Sequence, residues 1–86
     1  MKLLDAVSAN GAGASTKGFG RKATVIAWGT FGGGTVAIQV SSDGTNWADH
    51  TTFTAAGAAD VDISAAAYVR GNLTGATAPS LTLEII

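Results

Sequence analysis

Thr35-Val36-Ala37-Ile38-Gln39-Val40-Ser41-Ser42-Asp43-Gly44-Thr45-Asn46-Trp47 is the stretch that decides the fold. Val36, Ile38 and Val40 alternate with Thr35, Ala37 and Gln39, the period-two pattern of a strand with one buried face. Asp43-Gly44 follows, a pair whose backbone can take the positive φ values of a tight turn, and a second strand opens on Trp47. With Asp43-Gly44 as a two-residue loop, Val40 stands opposite Trp47 and the two share the core face. A three-residue loop without a bulge would turn Trp47 to solvent instead. The expectation is a β-hairpin anchored by a buried tryptophan.

Outward from the hairpin, the same short period recurs. Lys22 to Thr30 reads as a strand with Thr24, Ile26 and Trp28 on one face and Ala23, Val25 and Ala27 on the other. Both faces are apolar, as in a central strand or one covered by a neighbouring chain. Phe31-Gly32-Gly33-Gly34 turns into the hairpin, whose second strand covers about Trp47 to Phe53. That strand mixes Asp49 and Thr51 with Trp47 and Phe53 on one parity, which suits a sheet edge.

Asp60-Val61-Asp62-Ile63 alternates with its aspartates outward, and Tyr68 to Leu73 sets Val69 and Leu73 against Tyr68, Arg70 and Asn72. Gly75 to Pro79 is turn chemistry, and Leu81 to Ile85 alternates again. Residues 1–21 read as an N-terminal strand over about Lys2 to Ser8, without clean alternation, and a flexible glycine-rich loop from Asn10 to Gly20. Seven short strands with turns about every ten residues predict one all-β domain over residues 1–86, a small antiparallel β-sandwich or jelly-roll-like barrel.

Composition bounds what such a domain does. At 86 residues, with 47% hydrophobic and 13% charged content, the chain buries only about 60–65% of its unfolded surface. Much of its apolar fraction is alanine, so a thin core is expected, and with no cysteine neither a disulfide nor a thiolate zinc site supports it. Association with copies of itself or with a larger surface is the remaining remedy. The net charge of −1 argues against nucleic acid, since Lys17, Arg21 and Lys22 cluster beside a loop without forming a basic face. No apolar run approaches the ~20 residues of a membrane span. Met1-Lys2-Leu3-Leu4 is interrupted by Asp5, too short for a secretory signal, so synthesis in the cytoplasm is expected.

Catalytic constellations are not found in the sequence. His50 is the single imidazole, so a metal site or an activated hydroxyl would have to be built around it with carboxylates alone. Asp60 and Asp62 stand roughly 7 Å apart on one strand face and read as solvating residues. Gly13 to Gly18 lacks the Gly-Lys-Ser/Thr ending of a phosphate-binding loop, and Gly29 to Gly34 leads into a strand. Ser42 to Trp47 partly resembles the Asp-box turn of sialidase propellers, but with different spacing and no repeat. Asn72-Leu73-Thr74 matches a glycosylation acceptor, with no secretory signal to go with it. The expectation is no enzyme, no cofactor and no metal.

Three features together carry a family likeness: the Gly32 to Trp47 hairpin, the Phe53 to Gly57 step, and Ala67 to Thr77 leading into a final Leu-Thr-Leu strand. From about Lys22 to Ile86 the chain resembles small virion structural proteins of tailed bacteriophages. The resemblance implies a decoration or cement protein bound to the outside of the capsid, with the major capsid protein as partner and a homotrimer as the favoured state. Trp28, Phe31 on its glycine-rich tip, Tyr68 and Arg70 are the expected interface residues, because aromatic and arginine anchors dominate interfaces. The alternative is a carbohydrate- or host-surface-binding module of a phage fibre or tail, which needs an exposed aromatic platform, with Trp28 and Tyr68 as the first candidates.

Overall fold

In the computed structural model, residues 2–18 and 20–86 are described. Met1, at the start of the expected first segment, and Phe19, in the expected loop, lie outside the described residues. Among the described residues nine strands form: β1 (Lys2–Val7), β2 (Gly11–Ala12), β3 (Thr16–Lys17), β4 (Arg21–Thr30), β5 (Thr35–Ser41), β6 (Ala48–Phe53), β7 (Gly57–Ile63), β8 (Tyr68–Thr74) and β9 (Ser80–Ile85). One sheet has the order β1-β9-β4-β7 and the other β2-β8-β5-β6, with β3 also on β8. The pairings are antiparallel, and the sheets pack face to face as a small sandwich.

The topology follows from the hairpin at mid-chain. Val40 pairs with Ala48, Ala23 with Val61, Thr16 with Val69 and Leu4 with Leu83, near-mirror positions about Asp43-Gly44. The chain is therefore one long hairpin, rolled so that successive pairs fall alternately in the two sheets. The pairings β4–β9 and β5–β8 then join the rolled pairs side by side. With β2 and β3 taken as one interrupted strand, this is an eight-stranded jelly roll.

Each strand puts one parity into the space between the sheets. Ala23, Val25 and Ala27 of β4 face inward, and β9 supplies Leu81, Leu83 and Ile85 beside them. Small residues on one strand thus stand next to large ones on its neighbour, Ala27 against Leu83 and Gly29 against Leu81. Val36 and Ile38 of β5 and Val69 and Leu73 of β8 come from the other sheet, all fully buried. Gly71 occupies the inward position between Val69 and Leu73 because the space is taken: a Cβ there would lie 2.8 Å from Leu83 Cδ2 and 3.0 Å from Leu4 Cγ.

Three expectations are corrected at this level. The core is not built of alanine. Its cluster is built from Leu, Ile, Val and Phe31, with Ala23 and Ala27 as its alanines, while most other alanines lie at the surface. Concentrating branched side chains inside is what lets so short a chain close two layers. In the N-terminal segment the expected strand forms as β1, but the expected loop carries the short strands β2 and β3. β1 carries two register shifts, which is why Leu3 and Leu4 are both buried without alternating, and Ala6 takes a positive φ of 48° while its N–H donates to Thr82 Oγ1.

β2 and β3 close the free edge of β8. Gly13 N–H donates to the Gly71 carbonyl and Gly18 N–H to that of Ala67. Asn10 bonds both backbone groups of Ala76 through its side-chain amide.

The third correction concerns Trp47. Val40 pairs with Ala48, so Trp47 precedes β6 and stands outside the core, half-buried against the outer face of the five-stranded sheet. The cause is Asp43, whose side chain gathers the loop's own donors and widens the turn. A bulge then follows, with Ile38 opposite Thr51 and Gln39 opposite Asp49, leaving His50 as the extra residue on an edge strand.

Candidate interaction surfaces

The loop from Ser42 to Trp47 is organised around one carboxylate. Asp43 Oδ1 accepts from the Thr45 N–H at 2.8 Å, the Asn46 N–H at 2.9 Å and the Ser41 hydroxyl at 2.9 Å, and Oδ2 accepts from the Asn46 amide at 2.8 Å. Ser41 Oγ in turn accepts from Gly44 N–H at 2.9 Å. The backbone N–H groups of Asn46 and Thr45, then the Asn46 amide and the Ser41 hydroxyl, hold the Asp43 carboxyl well below the usual carboxylate range.

A carboxyl whose folded value is depressed contributes stability above its unfolded value, near about 3.9, and loses it as pH falls toward the folded value. The urea midpoint is therefore expected to hold above about pH 4 and to decline below it, still falling at pH 2. Asp43→Asn should flatten that acid limb; an unchanged acid limb would contradict the assignment.

The four expected interface residues are not brought together. Trp28 stands on the outer face of the four-stranded sheet, 48% exposed. Tyr68 and Arg70 stand on the outer face of the five-stranded sheet, half-buried, on the opposite side of the sandwich. Phe31 is buried at 8% exposure within the core cluster, so it offers no side chain to a partner. It plugs the end of the sandwich, where Gly34 N–H closes a turn on its carbonyl and Thr77 N–H donates to Gly32. The platform of Trp28 with Tyr68 is excluded by the same placement.

Each outer face has its own chemistry. On the four-stranded sheet, Trp28 and Ile26 project from β4, and Ile86 continues the β9 ladder by donating its N–H to the Thr24 carbonyl. Alternation turns Ile86 away from buried Ile85, so the two large exposed hydrophobics of the described residues, Trp28 and Ile86 at 62%, share this face with half-buried Ile26 between them. Lys22, Asp60, Asp62 and Glu84 flank the stripe, with Thr24 donating to Asp60 Oδ1 at 2.8 Å.

On the five-stranded sheet, side chains form a row across three strands. Arg70 Nε donates to Gln39 Oε1 at 2.8 Å, and Gln39 Nε2 donates to Asp49 Oδ1 at 2.9 Å. The Arg70 guanidinium lies 4.3 Å from the centre of the Trp47 ring, and beside it Lys17 Nζ lies 4.0 Å from that of Tyr68. Sequence reasoning selected Tyr68 and Arg70 but missed Lys17 and Trp47 as their partners. The signal was the register of β3 and the side-chain bonds of the Asp43 loop, neither visible as periodicity.

An open cleft of about 540 Å³ lies between the Ser42 loop and the β7–β8 connection, lined by Val40, Ser41, Ser42, Asn46, Ala48, Ser64, Ala66 and Ala67. None of these residues is titratable near neutral pH. His50 is exposed, its Nδ1 2.9 Å from Thr51 Oγ1. Among the described residues no group of three or more His, Cys, Asp or Glu is placed to hold a metal ion, and no helix is long and apolar enough to cross a membrane. Compared with protein-family models, with curated proteins and with solved structures, the chain matches none.

Proposed function

We propose that this chain is a non-enzymatic structural protein that docks on the outside of a bacteriophage capsid and stabilises it, acting as a homo-oligomer, with a trimer favoured, on the major capsid protein. The observation that carries this reading is the outer face of β1-β9-β4-β7, where Trp28, Ile26 and Ile86 form an apolar stripe bordered by charges. Such a stripe on a rigid sheet suits binding by area and shape complementarity. The family likeness of the sequence supplies the partner. The cleft, lined by small uncharged side chains, fits a role that needs no acid–base group.

The reading predicts stoichiometric recovery of the chain in purified virions, and heads that fail at lower temperature without it. Recovery only from the soluble fraction of infected cells would refute it. Trp28→Ala is expected to weaken binding to isolated capsids by roughly thirtyfold, the effect of losing an aromatic hot spot of about 2 kcal/mol. Because Trp28 is half exposed, the melting temperature should move by only a few degrees. Cosedimentation at graded protein concentration reads the first quantity and a thermal melt the second.

A further inference from the structure

The sequence holds three asparagines, Asn10, Asn46 and Asn72, and of these Asn10 alone precedes a glycine. With no Cβ on the following residue, the Gly11 backbone nitrogen can close on the Asn10 side chain with the least hindrance. Asn46 and Asn72 are followed by Trp47 and Leu73, whose side chains obstruct the same approach. The fold ties up both reacting groups. Asn10 Nδ2 donates to the Ala76 carbonyl at 2.9 Å, and the Ala76 N–H donates to Asn10 Oδ1 at 2.8 Å. Gly13 N–H donates to the Gly71 carbonyl, and Gly11 stands opposite Leu73 in the same ladder. Alternation therefore points the Gly11 N–H at the Leu73 carbonyl, where a ladder bond occupies it.

We infer that Asn10 is a self-modification site gated by this clasp. When β2 opens, the Gly11 nitrogen loses its proton and attacks Asn10 Cγ. The Cγ–Nδ2 bond breaks, the amide leaves as ammonia carrying that proton, and a succinimide ring closes. Water then adds to one of the two ring carbonyls and gives aspartate or isoaspartate; no oxidant or reductant is needed. Neither product can rebuild the clasp. Aspartate has no donor for the Ala76 carbonyl, and isoaspartate routes the main chain through the side-chain carbon, adding one backbone atom before Gly11. β2 is only two residues long, so its loosening bares the Leu73 end of the β8 edge. Hydrolysis is one-way, so this edge is uncovered progressively as the protein ages. The inference does not rest on the docking reading, since Trp28 stands on the other sheet and either can fail alone.

The full chain, folded in mildly alkaline buffer or unfolded in concentrated urea, is followed by peptide mass mapping for deamidation at each asparagine. Conversion is expected at Asn10 in the folded chain, ahead of Asn46 and Asn72, at a rate about tenfold or more below that in urea, since it waits for local opening. Asn10→Asp carries the aspartate product from the start. Hydrogen exchange in that variant should be about fivefold faster at the Gly13 amide, the effect of losing one hydrogen bond. The Gly18 amide, bonded to Ala67 beyond the other end of β8, should keep its rate. Equal rates in buffer and urea, conversion of Asn46 or Asn72 in step with Asn10, no conversion in the folded chain, or unchanged Gly13 exchange would each overturn the inference.

Discussion

Leu83→Ala is expected to lower the free energy of unfolding by about 3–4 kcal/mol and the melting temperature by roughly 12–30 °C. Leu83 is fully buried on β9, paired with Ala27 on one side and Leu4 on the other. Its Cδ2 fills the space over Gly71 of the opposite sheet, so it is where the two layers interlock. Truncation leaves a cavity walled by both sheets, which the rolled topology cannot collapse without breaking pairs. Against a total of roughly 4–13 kcal/mol for a domain of this size, the variant sits near the edge of folding.

Gly71→Ala alone should be destabilising, since its Cβ would meet Leu83 Cδ2 at 2.8 Å. In the Leu83→Ala background the same methyl enters vacated space and should restore part of the loss. Urea unfolding of all four chains should give a coupling of at least about 1 kcal/mol. Additive losses would mean that Leu83 does not occupy that space.

Gly29→Ala is expected to cost about 3 kcal/mol or more. Gly29 has a φ of 113°, outside the range that a side chain tolerates, and its Cβ would run into the Ser80 carbonyl oxygen and approach Leu81 Cα to 3.2 Å. Both neighbours are backbone of the paired strand, so relief requires the β4–β9 register to open next to Trp28. Gly33→Ala is the control. Its φ of 77° is also positive, but nothing lies within 4 Å of the new Cβ, and a cost of about 1–2 kcal/mol is expected from backbone strain alone. The difference between the two, read from urea midpoints, measures the contact; equal losses would contradict it.

Strand positions were legible wherever one parity is apolar. Val61 and Ile63, Val69 and Leu73, and Leu81, Leu83 and Ile85 all read correctly, because alternation is a local property. Parity does not say which side is inside when both are apolar, and β4 is that case. Its small residues face inward because β9 brings Leu83 and Ile85 alongside, a neighbour relation absent from the local sequence. Glycines around Phe31 make it read as an exposed tip, yet the turn folds it back under the β8–β9 connection.

Trp47 was misplaced for a different reason. A two-residue Asp-Gly turn and a wider loop closed on the Asp43 carboxylate begin with the same residues, and side-chain bonds from Ser41 and Asn46 decide between them. Of the candidate site, the residue types were readable. Their division between two opposite faces was not, since it depends on how the long hairpin rolls.

That division is tested most directly by hydroxyl-radical footprinting of the two tryptophans, free and bound to purified capsids. Protection of Trp28 on binding, with Trp47 still oxidised at its free rate, is the predicted result. Protection of Trp47 with Trp28 left reactive, or no change at either ring, would contradict it.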